Sequence, residues 1–518
     1  MSGKLKKVLL LLLAGLLLVG VSRVQKEMNQ DRERLGITRV EPLKNAPPVL
    51  AFTTVALGGF RGLISNALWM RATDLQDEDK FFEMAQLADW ITKLEPTYVQ
   101  VWLVQAWNMA YNISVKFKDW PDRWRWVKRG FELLRDDGLT YNPNELLIYR
   151  ELGWIFQHKM GQNLDDAHLY YKQQWANEMA VVFAKKKPNL DELIAPQTDD
   201  QTNRAKLLAE KYKMDPKFMK EVDEKYGPLE WRLPEAHAIY WGARGLEVAH
   251  KNPTKVKQED FITLRRLIYQ SMLVSFQRGQ LVENPYARSF EFVPNLDIIP
   301  KVSLAYEQAA EEDKNNHDHI LTAHRNFLRD AVYFLYEANR LKESDYWFKY
   351  LTAKYPNKPV LDDPKSLPAT LTYEKYAIQK VQEDVRETDP KRITSAIIGM
   401  VQHAYTELIL GQDERYTGYM LLAKKTRDTY ESQIPKSREG PIGLPPFEDL
   451  VRIARDQMLD VENPRLPLEA RAVLRSKLGM VKEPAAPPGS TNAVPGRASA
   501  AVGTTNAIQQ AKTTTKSE

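Results

Sequence analysis

Residues 328–356 read LRDAVYFLYEANRLKESDYWFKYLTAKYP. Leu328, Ala331, Val332 and Leu335 recur at three- and four-residue steps, which places them on one face of a helix. After a polar break, Ser344, Phe348 and Leu351 repeat the spacing, and Pro356 ends the run because it has no amide proton to continue it. Small residues at Ala331 and Ser344 let two such helices approach closely, while the large ones fill the groove between them. This stretch predicts an antiparallel helix pair.

Working outward, the same grammar recurs. Tyr149, Leu152, Gly153 and Phe156 repeat the opening spacing, with Ala167 and Tyr171 at the positions of a following helix. A third unit ends in Ile91, Leu94 and Pro96, and its successor begins with Trp102 and Ala106. Pro96, Pro143 and Pro356 each close a second helix. In these residues the chain resembles the tetratricopeptide-repeat (TPR) family of helical repeat proteins. The resemblance implies an all-α, TPR-like α-α superhelix, or solenoid, whose concave face holds protein partners, and it brings no catalytic residues with it. A non-repeating α-superhelix is the structural alternative. The interval from Pro96 to Pro143 exceeds one repeat of about 34 residues, so it requires lengthened helices or an insertion around Lys116 to Trp120.

The rest of the body follows the helical pattern. Helix pairs are expected at Leu63 to Leu94, Val99 to Leu134, Glu145 to Ala184, Pro234 to Phe276, His319 to Ala353, Ile393 to Thr429 and Pro446 to Leu478. Alternation at Ser289, Phe290, Glu291, Phe292 and Val293 predicts a small β-hairpin insert near 281–299. The resulting organisation is a membrane anchor or signal segment at 1–24, an extended lead-in at 25–62 and a first helical lobe at 63–184. A linker or charged insert at 185–233 precedes a second lobe at 234–480. Beyond it, 481–518 is rich in Pro, Ala, Ser, Thr and Asn without one aromatic residue, and is expected to be a disordered tail.

Location comes from the N-terminus. Lys4, Lys6 and Lys7 precede an apolar run from Val8 to Val21, roughly 21 Å of helix against a hydrocarbon core of roughly 30 Å. Gly20 and Ser22 make a poor cleavage pair with Arg23 directly behind them, which favours an uncleaved anchor over a signal peptide. The lysines hold the N-terminus in the cytoplasm, so the bulk is expected on the extracytoplasmic, periplasmic side of a cell inner membrane. Pro47 to Phe60, with Thr53, Thr54, Gly58 and Gly59, reads as a lead-in packing on the next helix.

Composition narrows the function. A mean hydropathy of -0.48 excludes a polytopic membrane protein. With no cysteine, disulfides, thiolate nucleophiles, iron–sulfur clusters and lipoprotein acylation are all excluded. A net charge of +5 from 73 basic and 68 acidic residues is too slight for a dedicated nucleic-acid binder. No phosphate loop, serine elbow, zinc motif or calcium loop is present. Glu343 with Ser344 and Glu431 with Ser432, the only glutamate–serine pairs, do not resemble a lytic transglycosylase site. No cofactor is expected.

Nine of the twelve tryptophans lie between Trp69 and Trp175. Trp90, Trp102, Trp107 and Trp154 sit at helical apolar positions and are expected to fill inter-helix grooves. Trp120, Trp124 and Trp126 are instead interleaved with Lys116, Lys118, Arg123, Arg125, Lys128 and Arg129. Trp120, Arg123, Trp124, Arg125, Trp126 and Arg129 are therefore the candidate patch for an anionic glycan, lipid headgroups or an acidic partner. The plainer reading is a helix start with Trp124 facing in and the arginines solvated. His317, His319 and His324 place three of the eight histidines within eight residues. His317 and His324 share a helix face and His319 does not, so surface histidines near a helix start are expected rather than a metal site. Together these features predict a membrane-anchored scaffold for protein–protein interactions in envelope assembly, secretion or polysaccharide export. A binding module for anionic glycan or lipid is the alternative, and an unrecognised exported hydrolase the third.

Overall fold

The apolar spacing does form helices. A computed structural model of the protein describes residues 17, 19–24, 26–28, 30, 31, 60–184, 187–252, 256–284, 289–385, 390–433, 444–460 and 466–480. These are mostly helical, with two short strands. They divide into two compact units. The first takes Met1–Tyr171, Lys206–Asp215 and Tyr240–Leu267, and the second Lys172–Ala205, Pro216–Ile239 and Ile268–Glu518.

The first unit contains α1 (Phe60–Asp77), α2 (Phe81–Leu94), α3 (Val99–Trp107), α4 (Trp120–Glu132) and α5 (Leu146–Trp154). α1 packs on α2, and Ala88, Ile91 and Val101 join their core to α3. Each of the last three helices runs on into a wide, π-type segment: Asn108–Ile113 after α3, Leu133–Gly138 after α4 and Ile155–Gly161 after α5. A π turn admits an extra residue and re-aims the side chains beyond it. The long interval between Pro96 and Pro143 is thus taken up by helix lengthening. The prolines sit just past α2 and the helical end at Tyr141, and the Pro96 carbonyl accepts hydrogen bonds from Trp102 Nε1 at 2.9 Å and Asn142 Nδ2 at 2.8 Å. Gly130 is required at the α3–α4 crossing, where a Cβ would stand 2.9 Å from the Ala106 carbonyl oxygen.

α6 (His168–Val182), α7 (Asp199–Glu210), α8 (Pro216–Tyr226), α9 (Pro234–Lys251) and α10 (Gln258–Arg278) follow. The expected linker at 185–233 is corrected here. Beyond residues 185 and 186, which lie outside the described set, it folds into α7 and α8, and Leu193, Leu208, Met219 and Val222 are buried. Its charges lie on outer helix faces, and its apolar residues, such as Met219 and Val222, turn inward.

In the second unit, β1 (Gln280–Asn284) pairs antiparallel with β2 (Ser289–Val293), with Gln280 opposite Val293, as the alternating pattern predicts. α11 (Ile299–Glu312) leads to α12 (His317–Glu337) and α13 (Leu341–Lys354), and the last two carry the helix pair of residues 328–356. Leu328, Ala331, Val332, Leu335, Ser344 and Leu351 are all completely buried between neighbouring helices. α14 (Tyr373–Val385) leads to α15 (Pro390–Ile409) and α16 (Asp413–Gln433), which pack as a pair. α17 (Phe447–Leu459) and α18 (Leu468–Lys477) close on α15 around Ile397, Val401, Leu450 and Leu474.

Among the described residues no helix is long and apolar enough to cross a membrane. Most of the Val8 to Val21 run, the Pro47 to Phe60 lead-in up to residue 59, and the tail 481–518 lie outside those residues. Leu17, Val19, Val21 and Val24, within the described N-terminal helical residues, are exposed.

Candidate functional site

The helical turn divides the tryptophan–arginine patch. Pro121 in the first turn suits the start of α4, where its missing amide costs nothing. From there Arg123, Trp124, Val127 and Phe131 point inward, and Arg125 and Arg129 outward. Trp124 stacks on Tyr171 at 6.1 Å, and half-buried Trp120 meets Tyr170 at 5.9 Å. Trp126 joins Phe82 at 5.6 Å and Phe117 at 6.3 Å, with the Arg129 guanidinium 5.6 Å above its ring. The six residues therefore do not make one surface. Trp126 and Arg129 remain in an outward cluster with Phe82 and Phe117, whereas Arg123 and Trp124 belong to the core.

Much of the positive charge is also matched. Arg125 pairs with Asp122, and Lys116 lies 3.9 Å from Asp79. Arg123 sits between Asp165 at 3.3 Å and Asp166 at 2.7 Å. Asp165 also bonds buried Lys159 at 2.5 Å, an amine delivered inward by the π segment after α5. Burial works to raise the Asp165 carboxyl, but the hydrogen bond and charge of Lys159 hold it below its ordinary value. Burial likewise lowers the Lys159 amine despite the opposing pull of Asp165. The arrangement is a buried ionic clasp. Asp165 and Asp166 are neighbours just before α6, and their partners Lys159 and Arg123 lie elsewhere in the chain.

Aromatic residues take up the outer surface beside it. Trp102 is buried and stacks on Tyr141 at 5.9 Å, as expected. Trp90 and Trp107 depart from expectation: they are 46% and 41% exposed, so they do not fill grooves. Trp107 stacks on Tyr111 at 4.1 Å and half-buried Trp154 on His158 at 4.6 Å, with the Tyr111 hydroxyl 3.3 Å from His158 Nδ1. These rings form a row along the π segments that follow α3 and α5. Phe82 at 50% and Tyr98 at 46% add to the exposed aromatic surface of this unit. Single amphipathic spacing cannot distinguish such rings from core residues.

In the second unit the histidines separate. His319 is exposed and His317 half-buried, whereas His324 is completely buried. His324 Nε2 lies 2.9 Å from Ser303 Oγ and Nδ1 lies 2.9 Å from the Tyr355 hydroxyl. Burial, reinforced by Lys354, pushes its imidazole down to about 4. A serine–histidine contact resembles half of a hydrolytic arrangement, but Ser303 is only 3% exposed and a tyrosine stands where an orienting carboxylate would. Both partners hold the helices together. Among the described residues no group of three or more His, Cys, Asp or Glu is placed to hold a metal ion. Glu343 and Glu431 are engaged by Arg340 and Arg427 at 2.7 and 2.8 Å.

Comparison with protein-family models, with curated proteins and with solved structures gives no match.

Proposed function

We propose that the chain is a membrane-tethered, extracytoplasmic scaffold whose helix pairs stack as a TPR-like superhelix and gather protein partners for envelope assembly, secretion or polysaccharide export. The observation that carries this reading is the outward aromatic surface of the first unit, where Phe82, Trp90, Tyr98 and Trp107 are each more than 40% exposed. Large exposed rings are costly in water and are the side chains that dominate protein interfaces. The apolar run from Val8 to Val21 supplies the tether. Photo-crosslinkers at positions 90 and 107 of the full-length, membrane-extracted chain should capture one reproducible protein, and capture from 107 should fall in Trp90→Ser. Crosslinks no different from those at exposed Gln86 would sink the reading.

A second reading is favoured by the Phe82, Phe117 and Trp126 cluster under Arg129: contact with anionic lipid headgroups or glycan. It requires binding that salt weakens and that Arg129→Ala reduces. Since Arg123 and Arg125 are already paired, the electrostatic share is small and protein contact is the better-supported reading.

A further inference from the structure

Three charged side chains in the second unit lie within electrostatic reach of one another. Lys172 lies in α6, Glu235 in the first turn of α9 and Arg278 at the last residue of α10. Lys172 is 0% and Glu235 1% exposed. The Lys172 amine has no hydrogen-bond partner, and no other residue donates to either carboxylate oxygen of Glu235. The charges nevertheless feel one another, since Glu235 opposes the lowering of both Lys172 and Arg278. Burial pushes the Lys172 amine down to about 8 and the Glu235 carboxyl up. The surroundings are aromatic. The Phe292 ring of β2 lies 5.6 Å from Lys172 Nζ, and buried Trp175, one turn along α6, meets the His237 ring at 4.8 Å.

A buried ion without a hydrogen-bonding partner is among the most expensive features a fold carries, and here an amine and a carboxylate share the condition. Simple stability would be better served by apolar residues at both positions. The contrast with Lys159 and Asp165 is instructive, because there the buried charges close directly on each other. Around Lys172 the donors require an acceptor, and Glu235 requires a donor. Lys172 and Arg278 face Glu235, and Glu230, which also acts on Glu235, is itself paired with Arg232, so these side chains carry an excess of one positive charge, which matches a monoanion and disfavours a metal ion. A phosphate dianion would overcompensate and meet Glu235 as a like charge.

We propose that Lys172, Arg278 and Glu235 form an internal binding site for a small monocarboxylate monoanion that carries a hydroxyl group beside its carboxylate. Lys172 and Arg278 take the carboxylate, Glu235 accepts from the neighbouring donor, and Trp175 and Phe292 wall the apolar end. The β2 strand closes on α6 through Phe292 and a 3.1 Å hydrogen bond from the Phe290 amide to Gln173 Oε1. The site is independent of the scaffold surface, which belongs to the first unit.

Equilibrium dialysis of the full-length chain with labelled lactate, alanine and propionate tests the assignment, because these differ only in the group beside the carboxylate. One molecule of lactate should bind per chain; alanine, whose ammonium makes it net neutral, and propionate, which leaves Glu235 unpaired, should each bind about tenfold more weakly or worse. Lys172→Met and Glu235→Gln, checked for helicity by circular dichroism, should each weaken binding about tenfold or more. The proposal is overturned if lactate is not retained above a chloride control, if alanine or propionate binds as tightly as lactate, or if folded Lys172→Met retains lactate unchanged. Should both variants unfold, equal binding of propionate and lactate by the wild type overturns it alone.

Discussion

The Ser344 hydroxyl donates a hydrogen bond to the main-chain carbonyl oxygen of Val332 at 2.8 Å, stitching α13 to the middle of α12 where both residues are completely buried. A small side chain at this contact permits close packing, and a hydroxyl adds a bond across it. Ser344→Ala keeps the volume and should lose about 0.5–1.5 kcal/mol of stability. Ser344→Leu should lose more, because the helices must part. Urea unfolding of the two variants checks the order.

Two helical glycines should respond to alanine with opposite signs. Gly130→Ala forces a Cβ to 2.9 Å from the Ala106 carbonyl oxygen and 3.1 Å from the Ala110 Cβ. The expected overpacking cost of about 1–3 kcal/mol exceeds the gain of about 1 kcal/mol in helix propensity. At exposed Gly399 in α15 a Cβ meets nothing within 4 Å, so Gly399→Ala should stabilise by about 0.5–1 kcal/mol. Thermal midpoints that move in the same direction would contradict this account.

The division of the tryptophan–arginine segment predicts unequal sensitivity. Asp165→Asn leaves Lys159 buried beside a neutral group, while Arg123 keeps Asp166, and should cost about 3–5 kcal/mol. Arg129→Ala, on the exposed face, should stay within about 0.5 kcal/mol of wild type. Denaturant midpoints of both proteins decide whether the inner residues are structural.

His324 makes stability depend on pH in a defined window. Its folded pKa of about 4 lies below the ordinary 6.5, so between these values the unfolded chain binds more protons than the folded one. Stability contributed by the neutral ring is complete above about pH 6.5 and falls as pH drops toward 4, by about 3 kcal/mol in all. Glu407, lowered to about 2 by hydrogen bonds from His403 and Arg415 that outweigh its burial, loses its contribution only below about pH 4.5. The difference in unfolding free energy between wild type and His324→Gln, measured from pH 7 to 4.5, should shrink as pH falls. A constant difference would exclude His324 as its source.

The helix pairs were legible because burial of a helix face imposes a spacing of three and four residues that survives in one dimension. The hairpin was legible for the same reason at period two. Residues 187–233 hide their helices behind a high density of charge, because only a few apolar residues, among them Leu208, Met219 and Val222, carry the helical spacing. The candidate patch was legible only as a composition. Arg123 and Arg125 are two residues apart in sequence and on opposite sides of α4, one in the Asp165 clasp and the other paired with Asp122 at the surface.

By itself the sequence determined the helical class, the proline-closed pairs and the hairpin, and it excluded the chemistry of thiols. These follow from local rules, since periodicity, missing amide protons and absent atoms act over a few residues. Only the tertiary structure decided which tryptophans face water, that Asp165 closes on Lys159 and Arg123, and that His324 meets Ser303 and Tyr355. It alone brought Lys172, Glu235 and Arg278 together. Those relations join residues far apart in the chain, and whether a buried charge finds a partner depends on how helices cross, a property that no stretch of sequence carries alone.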